Sequence, residues 1–178
     1  MGSAGMEREL VNAFIAAGVY AQRTPSSGSA TTRDLPDVLA LAPWGKIINS
    51  YALASLLAGE NNSQTLPAYG FPQPIRALFI ESKATSRDHA YYDESEVDAL
   101  TRAAKTGNGK PLLAARFKDA ATNGRAHYLL QPSDARQLDS GRYAISQSDA
   151  PTDAFVAVDA AAEQVDWNPG PTVEVDQS

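Results

Sequence analysis

Two acids stand where a small folded chain can least tolerate them. Leu35-Pro36-Asp37-Val38-Leu39 and Phe79-Ile80-Glu81-Ser82-Lys83 are short apolar runs of the kind that form strands. Side chains on a strand alternate faces with period two, so Glu81 and Lys83 share a face with Phe79. Burying an ionised group is costly unless it is paired or holds a metal. A fold built on these strands must leave that face open to water or organise its charges into a site. Short motifs also arise by chance, and an edge strand can carry Glu and Lys as a solvated pair.

A third acid favours the site. Met6 to Gly18 reads as a helix with Leu10, Val11 and Phe14 as its apolar stripe and Gly18 as its C-cap. Glu7 precedes those residues by three, four and seven positions and so starts on the stripe, whereas Glu9 lines up with Asn12, Ala13 and Ala16. The helix dipole favours an acid in the first turn. It explains either Glu equally, but not why one faces the core. Between helix and strand, Arg23 to Asp37 is dense in Ser, Gly and Thr, which makes a mobile loop rich in donors. A plain flexible loop has the same composition. Its flanking Arg23 and Arg33, and its run straight into Asp37, suit phosphate contacts instead.

The two strand motifs spell PD…ExK, the signature of a metal-dependent nuclease core. Glu-Arg-Glu-Leu on the first helix, Arg-x-Pro-x-Ser-Gly-Ser across Arg23, Pro25, Ser27, Gly28 and Ser29, Leu-Pro-Asp and Ile-Glu-x-Lys follow in that order. So arranged, the chain resembles the archaeal Holliday junction resolvases of the Hjc type. The resemblance continues through Tyr91 to Val97, Pro111 to Phe117 and Gly141 to Tyr143, and covers roughly residues 5 to 147. Three features depart from the family. No Lys-Gly pair precedes the first helix, 43 residues separate Asp37 from Glu81 where the family has a short hairpin, and Ala30-Thr31-Thr32 replaces basic residues after the loop.

The resemblance implies an α/β, restriction-endonuclease-like core: a central mixed β-sheet flanked by helices, with an insertion between the two catalytic strands. It implies a structure-specific endonuclease that resolves four-way DNA junctions, working as a homodimer with Mg²⁺, for which Mn²⁺ can substitute. Carboxylates suit Mg²⁺, which binds oxygen ligands and keeps waters. Asp37 and Glu81 are the side-chain metal ligands, the Ser82 carbonyl a further one, and Glu7 completes the shell directly or through water. Lys83 orients or helps deprotonate the attacking water and stabilises developing charge. Ser27 belongs to the catalytic set by resemblance. Arg8, Arg23, Ser29 and Arg33 are the candidate DNA contacts. Two rivals stand beside this reading. One is another PD-(D/E)xK endonuclease acting on linear or branched DNA. The other is a non-catalytic junction-binding protein, against which the intact Glu7, Asp37, Glu81 and Lys83 argue.

Length supports one domain with a sizeable core. No Cys is present, so disulfides and thiolate zinc sites are excluded. No apolar run approaches the ~18 residues of a membrane span, and no signal segment opens the chain, so a cytoplasmic protein without a membrane partner is expected. Net charge −6 is unusual for a DNA enzyme. Residues 1 to 133 hold 13 Lys plus Arg against 12 Asp plus Glu, and residues 134 to 178 hold 2 against 9, so the deficit lies near the C-terminus. The organisation expected is a nuclease domain over 1–147, with an insertion over about 42–74, and an acidic tail over 148–178. The tail reads as a solvated segment, or as adaptation to molar salt, toward which ten Arg against five Lys and thirteen Asp against eight Glu lean.

The pattern predicts helices over 6–17 and 94–106 and strands over 19–24, 36–41, 77–83, 111–117 and 126–130, with a loop over 25–35. Asp93 and Glu96 form a capping-box pattern, which gives Glu94 and Glu96 a structural reason and keeps them out of the site. His127 reads as a strand residue. Within the insertion, Lys46 to Gly59 reads as a helix, either an added packing element or, with Trp44, a cover over a substrate arm or a dimer contact.

Overall fold

The computed structural model describes residues 3–24, 35–43, 75–118, 126–154, 156–159 and 164–167. Helix α1 (Ser3–Ala16) buries Met6, Leu10 and Phe14, one turn apart on a single stripe. It ends in a Schellman motif: the Val19 N–H donates to the Phe14 carbonyl at 2.8 Å and the Gly18 N–H to the Ile15 carbonyl at 2.9 Å. Gly18 has φ +76°, a conformation in which a side chain is strained. Buried Val19 and Phe14 supply the hydrophobic contact that goes with the motif.

The chain then forms strands β1 (Tyr20–Arg23), β2 (Val38–Pro43), β3 (Ile75–Thr85) and β4 (His89–Tyr92) and helix α2 (Glu94–Thr106). Next come β5 (Lys110–Phe117), β6 (Ala126–Leu130), β7 (Arg136–Gln137), β8 (Tyr143–Ser146), the short helix α3 (Ala150–Asp153), β9 (Val156–Asp159) and β10 (Gln164–Trp167). Seven strands make one mixed sheet in the order β1-β2-β3-β5-β6-β9-β10, and β4-β8-β7 make a second, smaller sheet. β2 and β3 pair antiparallel, with Val38 opposite Ile80, and β3 and β5 pair parallel, with Glu81 opposite Leu113.

The large sheet is covered on both faces. Leu78, Ile80, Leu112 and Ala114 point to α1, where they join Leu10, Phe14, Val38 and Val156. Leu113, Ala115, Phe117 and Leu130 point the other way, against Val97 and Leu100 of α2 and Tyr92 and Ile145 of the small sheet. Central β5 is therefore apolar at consecutive positions, because neither of its faces meets water. Phe79 packs on the α2 side, so Glu81 and Lys83 face that side as well. There the end of α2 comes close: a Cβ on Gly109 would lie 2.5 Å from the Ala77 carbonyl oxygen and from the Phe79 ring.

The strands and helices expected from the pattern are present, with bounds shifted by up to three residues. The small sheet was not foreseen. The segment from residue 148, expected as a solvated tail, differs more. Its described residues up to Trp167 are folded, with Ala150, Ala154, Val156 and Val158 buried and β9 paired to β6. The reason is local: Val156 and Val158 alternate onto the core face of a strand, while the acids that set the composition of this stretch occupy other positions, such as exposed Asp153 and Asp159. The expected helix over Lys46 to Gly59 and its neighbour Trp44 lie outside the described residues.

Candidate active site

Asp37 sits at the start of β2, where its backbone is tied to the end of β1. The Thr24 N–H donates to the Asp37 carbonyl at 3.0 Å, and the Thr24 hydroxyl donates to the Pro36 carbonyl. One step beyond the Val38–Ile80 pair, the antiparallel register brings Asp37 beside Glu81. The Asp37 carboxylate accepts two hydrogen bonds from Ser82, from the backbone N–H at 2.9 Å and from the hydroxyl at 3.0 Å, both to Oδ2. Asp37 and Glu81 line one cleft of about 270 Å³, walled by Pro36, Ala99 and Leu100 and shared with Ser95 and Glu96.

The electrostatics of the pair are unfavourable as they stand. Burial, then the charges of Asp37 and Glu96, push the Glu81 carboxyl up to about 8, against the opposing pull of Lys83. Burial also raises Asp37, and the two Ser82 hydrogen bonds work against that rise. Glu7 adds to the upward push on both. Two neighbouring acids that resist ionising together leave a deficit of positive charge, and hard oxygen donors of this kind fit a divalent cation. Among the described residues no three His, Cys, Asp or Glu side chains converge closely enough to hold a metal.

Lys83, two residues on from Glu81, points into the same region. Its Nζ lies 2.5 Å from Glu96 Oε2 and 5.3 Å above the centre of the Tyr92 ring. Tyr92 is fully buried and its hydroxyl donates to the Ala114 carbonyl at 2.7 Å. Glu7 is 6 % exposed, on the buried side of α1 as its spacing predicts, and is clamped by Arg23, whose Nε donates to Oε2 at 2.7 Å. Glu9 faces elsewhere and pairs with Arg116 at 2.7 Å. Arg8 is exposed on α1. Ser27, Ser29 and Arg33 lie outside the described residues.

The structure thus brings Asp37, Glu81, Ser82 and Lys83 together, with Glu7 and Arg23 joined nearby. It also gives one excluded residue a second contact. Glu96, set aside as a helix cap, does cap α2, since its carboxylate accepts the Asp93 N–H at 2.8 Å. The same oxygen meets Lys83, and Glu96 is part of the lining of the cleft. A capping box accounts for a Glu at that position and so concealed its second contact.

A mixed sheet with helices on both faces, carrying paired acids where β2 meets β3, is an α/β fold of the nuclease type. The chain belongs to the archaeal Holliday junction resolvase (Hjc) family, whose sequence model matches residues 2–48 and 69–164. It is accordingly a nuclease that resolves four-way DNA junctions. Among solved structures, Hjc of Archaeoglobus fulgidus, a Holliday junction resolvase from an archaeal hyperthermophile, shares the fold. The TM-score is 0.55 at 18 % identity, over 83 % of this chain and 91 % of that one. No curated protein matches. Residues 49–68, between the matched segments, fall within the insertion expected between the two acid-bearing strands, and the match runs past residue 147 into the strands that end the sheet.

Proposed function

We propose that the chain cleaves the phosphodiester backbone at four-way junctions with Mg²⁺ held by Asp37, Glu81 and the Ser82 carbonyl, with Glu7 acting through water. The observation that carries this reading is the half-buried Asp37–Glu81 pair, in which burial, and then the charges of Asp37 and Glu96, push Glu81 up to about 8. When bound, Mg²⁺, or Mn²⁺ in its place, would neutralise phosphate charge and lower the pKa of a water. Ser82 fixes the Asp37 carboxylate through two hydrogen bonds and so sets one face of the ion site in advance. Lys83 orients the attacking water and stabilises charge as its oxygen bonds to phosphorus and the bond to the leaving sugar oxygen breaks. That sugar oxygen takes up a proton.

Ser27 would touch the scissile phosphate, and Arg8, Arg23, Ser29 and Arg33 would hold the neighbouring backbone, setting position rather than sequence. Symmetric resolution needs two such sites at fixed spacing, which a two-fold homodimer provides. Among the described residues no helix is long and apolar enough to cross a membrane, in keeping with action on DNA in the cytoplasm. The acidic surplus fits work in molar salt, where counterion release contributes little to DNA affinity.

The test is cleavage of a synthetic four-way junction beside a linear duplex of the same sequence, in Mg²⁺, Mn²⁺ and EDTA. Paired symmetric cuts in the junction alone, lost in EDTA, are expected. Equal cutting of the duplex would move the substrate to linear DNA, and tight junction binding without cutting in either metal would make the chain a binding protein.

A further inference from the structure

We infer that Glu96 is a positioning residue for Lys83: one carboxylate oxygen both caps α2 and holds the lysine ammonium beside the cleft. This rests on the nuclease reading above and goes beyond it, because Glu96 comes from a helix to which that reading gives no metal ligand and no DNA contact.

The geometry is a three-way junction at a single atom. Glu96 Oε2 accepts the Asp93 N–H at 2.8 Å and lies 2.5 Å from Lys83 Nζ. Lys83 comes from near the end of β3, so this oxygen joins the start of α2 to the acid-bearing strand of the site. The ammonium also lies over the face of Tyr92, 5.3 Å from the ring centre. The Tyr92 ring is itself fixed, fully buried and bonded through its hydroxyl to the Ala114 carbonyl. A flexible four-carbon side chain thereby has both a carboxylate and a rigid ring as contacts, which is what a lysine needs to present its ammonium at one place.

Capping alone does not call for a charge here. Gln at the same helical position completes a capping box as well as Glu does. A carboxylate also works against the site, since it raises both Glu81 and Asp37. A negative charge placed beside two acids, in a cleft that all three line, is compensated where it meets Lys83.

Glu96→Gln separates the two roles, because it keeps the cap and removes the ion pair. Four readouts decide: thermal unfolding, junction affinity without divalent metal, single-turnover cleavage, and the mobility of the Lys83 ammonium by ¹⁵N NMR. The inference predicts unfolding and affinity close to wild type, cleavage roughly tenfold slower or more, and a more mobile ammonium. In a Lys83→Met background the same substitution should cost nothing further, since the group it positions is gone. Wild-type cleavage by Glu96→Gln, an unchanged ammonium, or effects of the two substitutions that multiply would each overturn it. If wild-type protein leaves the junction uncut, the nuclease reading falls first. If only the Glu96 predictions fail, that reading stands and this inference alone falls.

Discussion

Glu81→Gln should make the protein more stable while destroying its activity, and the gain should depend on pH. In the folded chain the Glu81 carboxyl is pushed up to about 8 from an ordinary 4.5, because burial and then Asp37 and Glu96 oppose its charge. The folded state therefore binds a proton that the unfolded chain has released. Stability contributed at this position is full below pH 4.5 and is lost as pH rises toward 8. At about 1.4 kcal/mol per pH unit, the loss is at most about 3 kcal/mol at pH 7 and about 5 kcal/mol above pH 8. Glu81 keeps some contact with water, which brings the expected figure at pH 7 to about 2 kcal/mol. Gln has the same shape and no charge to release, so the variant should match wild type near pH 4.5 and exceed it increasingly up to pH 8. Urea unfolding of both proteins in EDTA at pH 4.5, 7 and 8.5 measures the difference directly. Mg²⁺ should then stabilise wild type through ligand linkage and stabilise the variant much less, while the variant's junction cleavage falls at least about a hundredfold. A stability difference that is absent, or flat with pH, would refute the claim that uncompensated acids strain this cleft.

Asp37→Asn should likewise abolish cleavage but leave junction binding within about twofold, read by gel shift in EDTA, because it removes a proposed metal ligand and not a DNA-facing surface; normal cutting would remove Asp37 from the site. Glu7→Gln should slow cleavage strongly, whereas Glu9→Gln should leave it intact and lower stability by about 1 kcal/mol through the weakened Arg116 pair; the reverse ranking in single-turnover assays would show that the helix faces are misassigned. His127 is fully buried, with neither ring nitrogen hydrogen-bonded among the described residues, and burial lowers its pKa from 6.5 to about 3. The unfolded chain takes up that proton first, so stability is lost as pH falls from 6.5 toward 3, and His127→Leu should raise the urea midpoint at pH 7 and by more at pH 4.5. Replacing residues 49–68, which the family model skips, with a short Gly-containing turn should leave a folded protein that still binds Mg²⁺, with altered dimerisation or junction affinity by sedimentation and gel shift. No change in either would reduce the segment to added packing.

The sequence by itself determined what is local and periodic. The period-two spacing put Glu81, Lys83 and Phe79 on one face of a strand, and the helical spacing put Glu7 on the buried side of α1. Gly18 ended that helix because the turn there needs a positive φ. Only the tertiary structure decided which of these residues meet. The register of β2 against β3 brought Asp37 to Ser82 and Glu81 across 43 intervening residues, and the packing of α2 on β3 brought Glu96 to Lys83. Composition misled at the C-terminal end, where an acidic average concealed two valines with the right alternation to extend the sheet. Periodicity follows from backbone geometry within one element and can be read along the chain. The pairing of elements depends on which apolar faces bury one another, and the charged groups of this cleft were carried into contact by that burial.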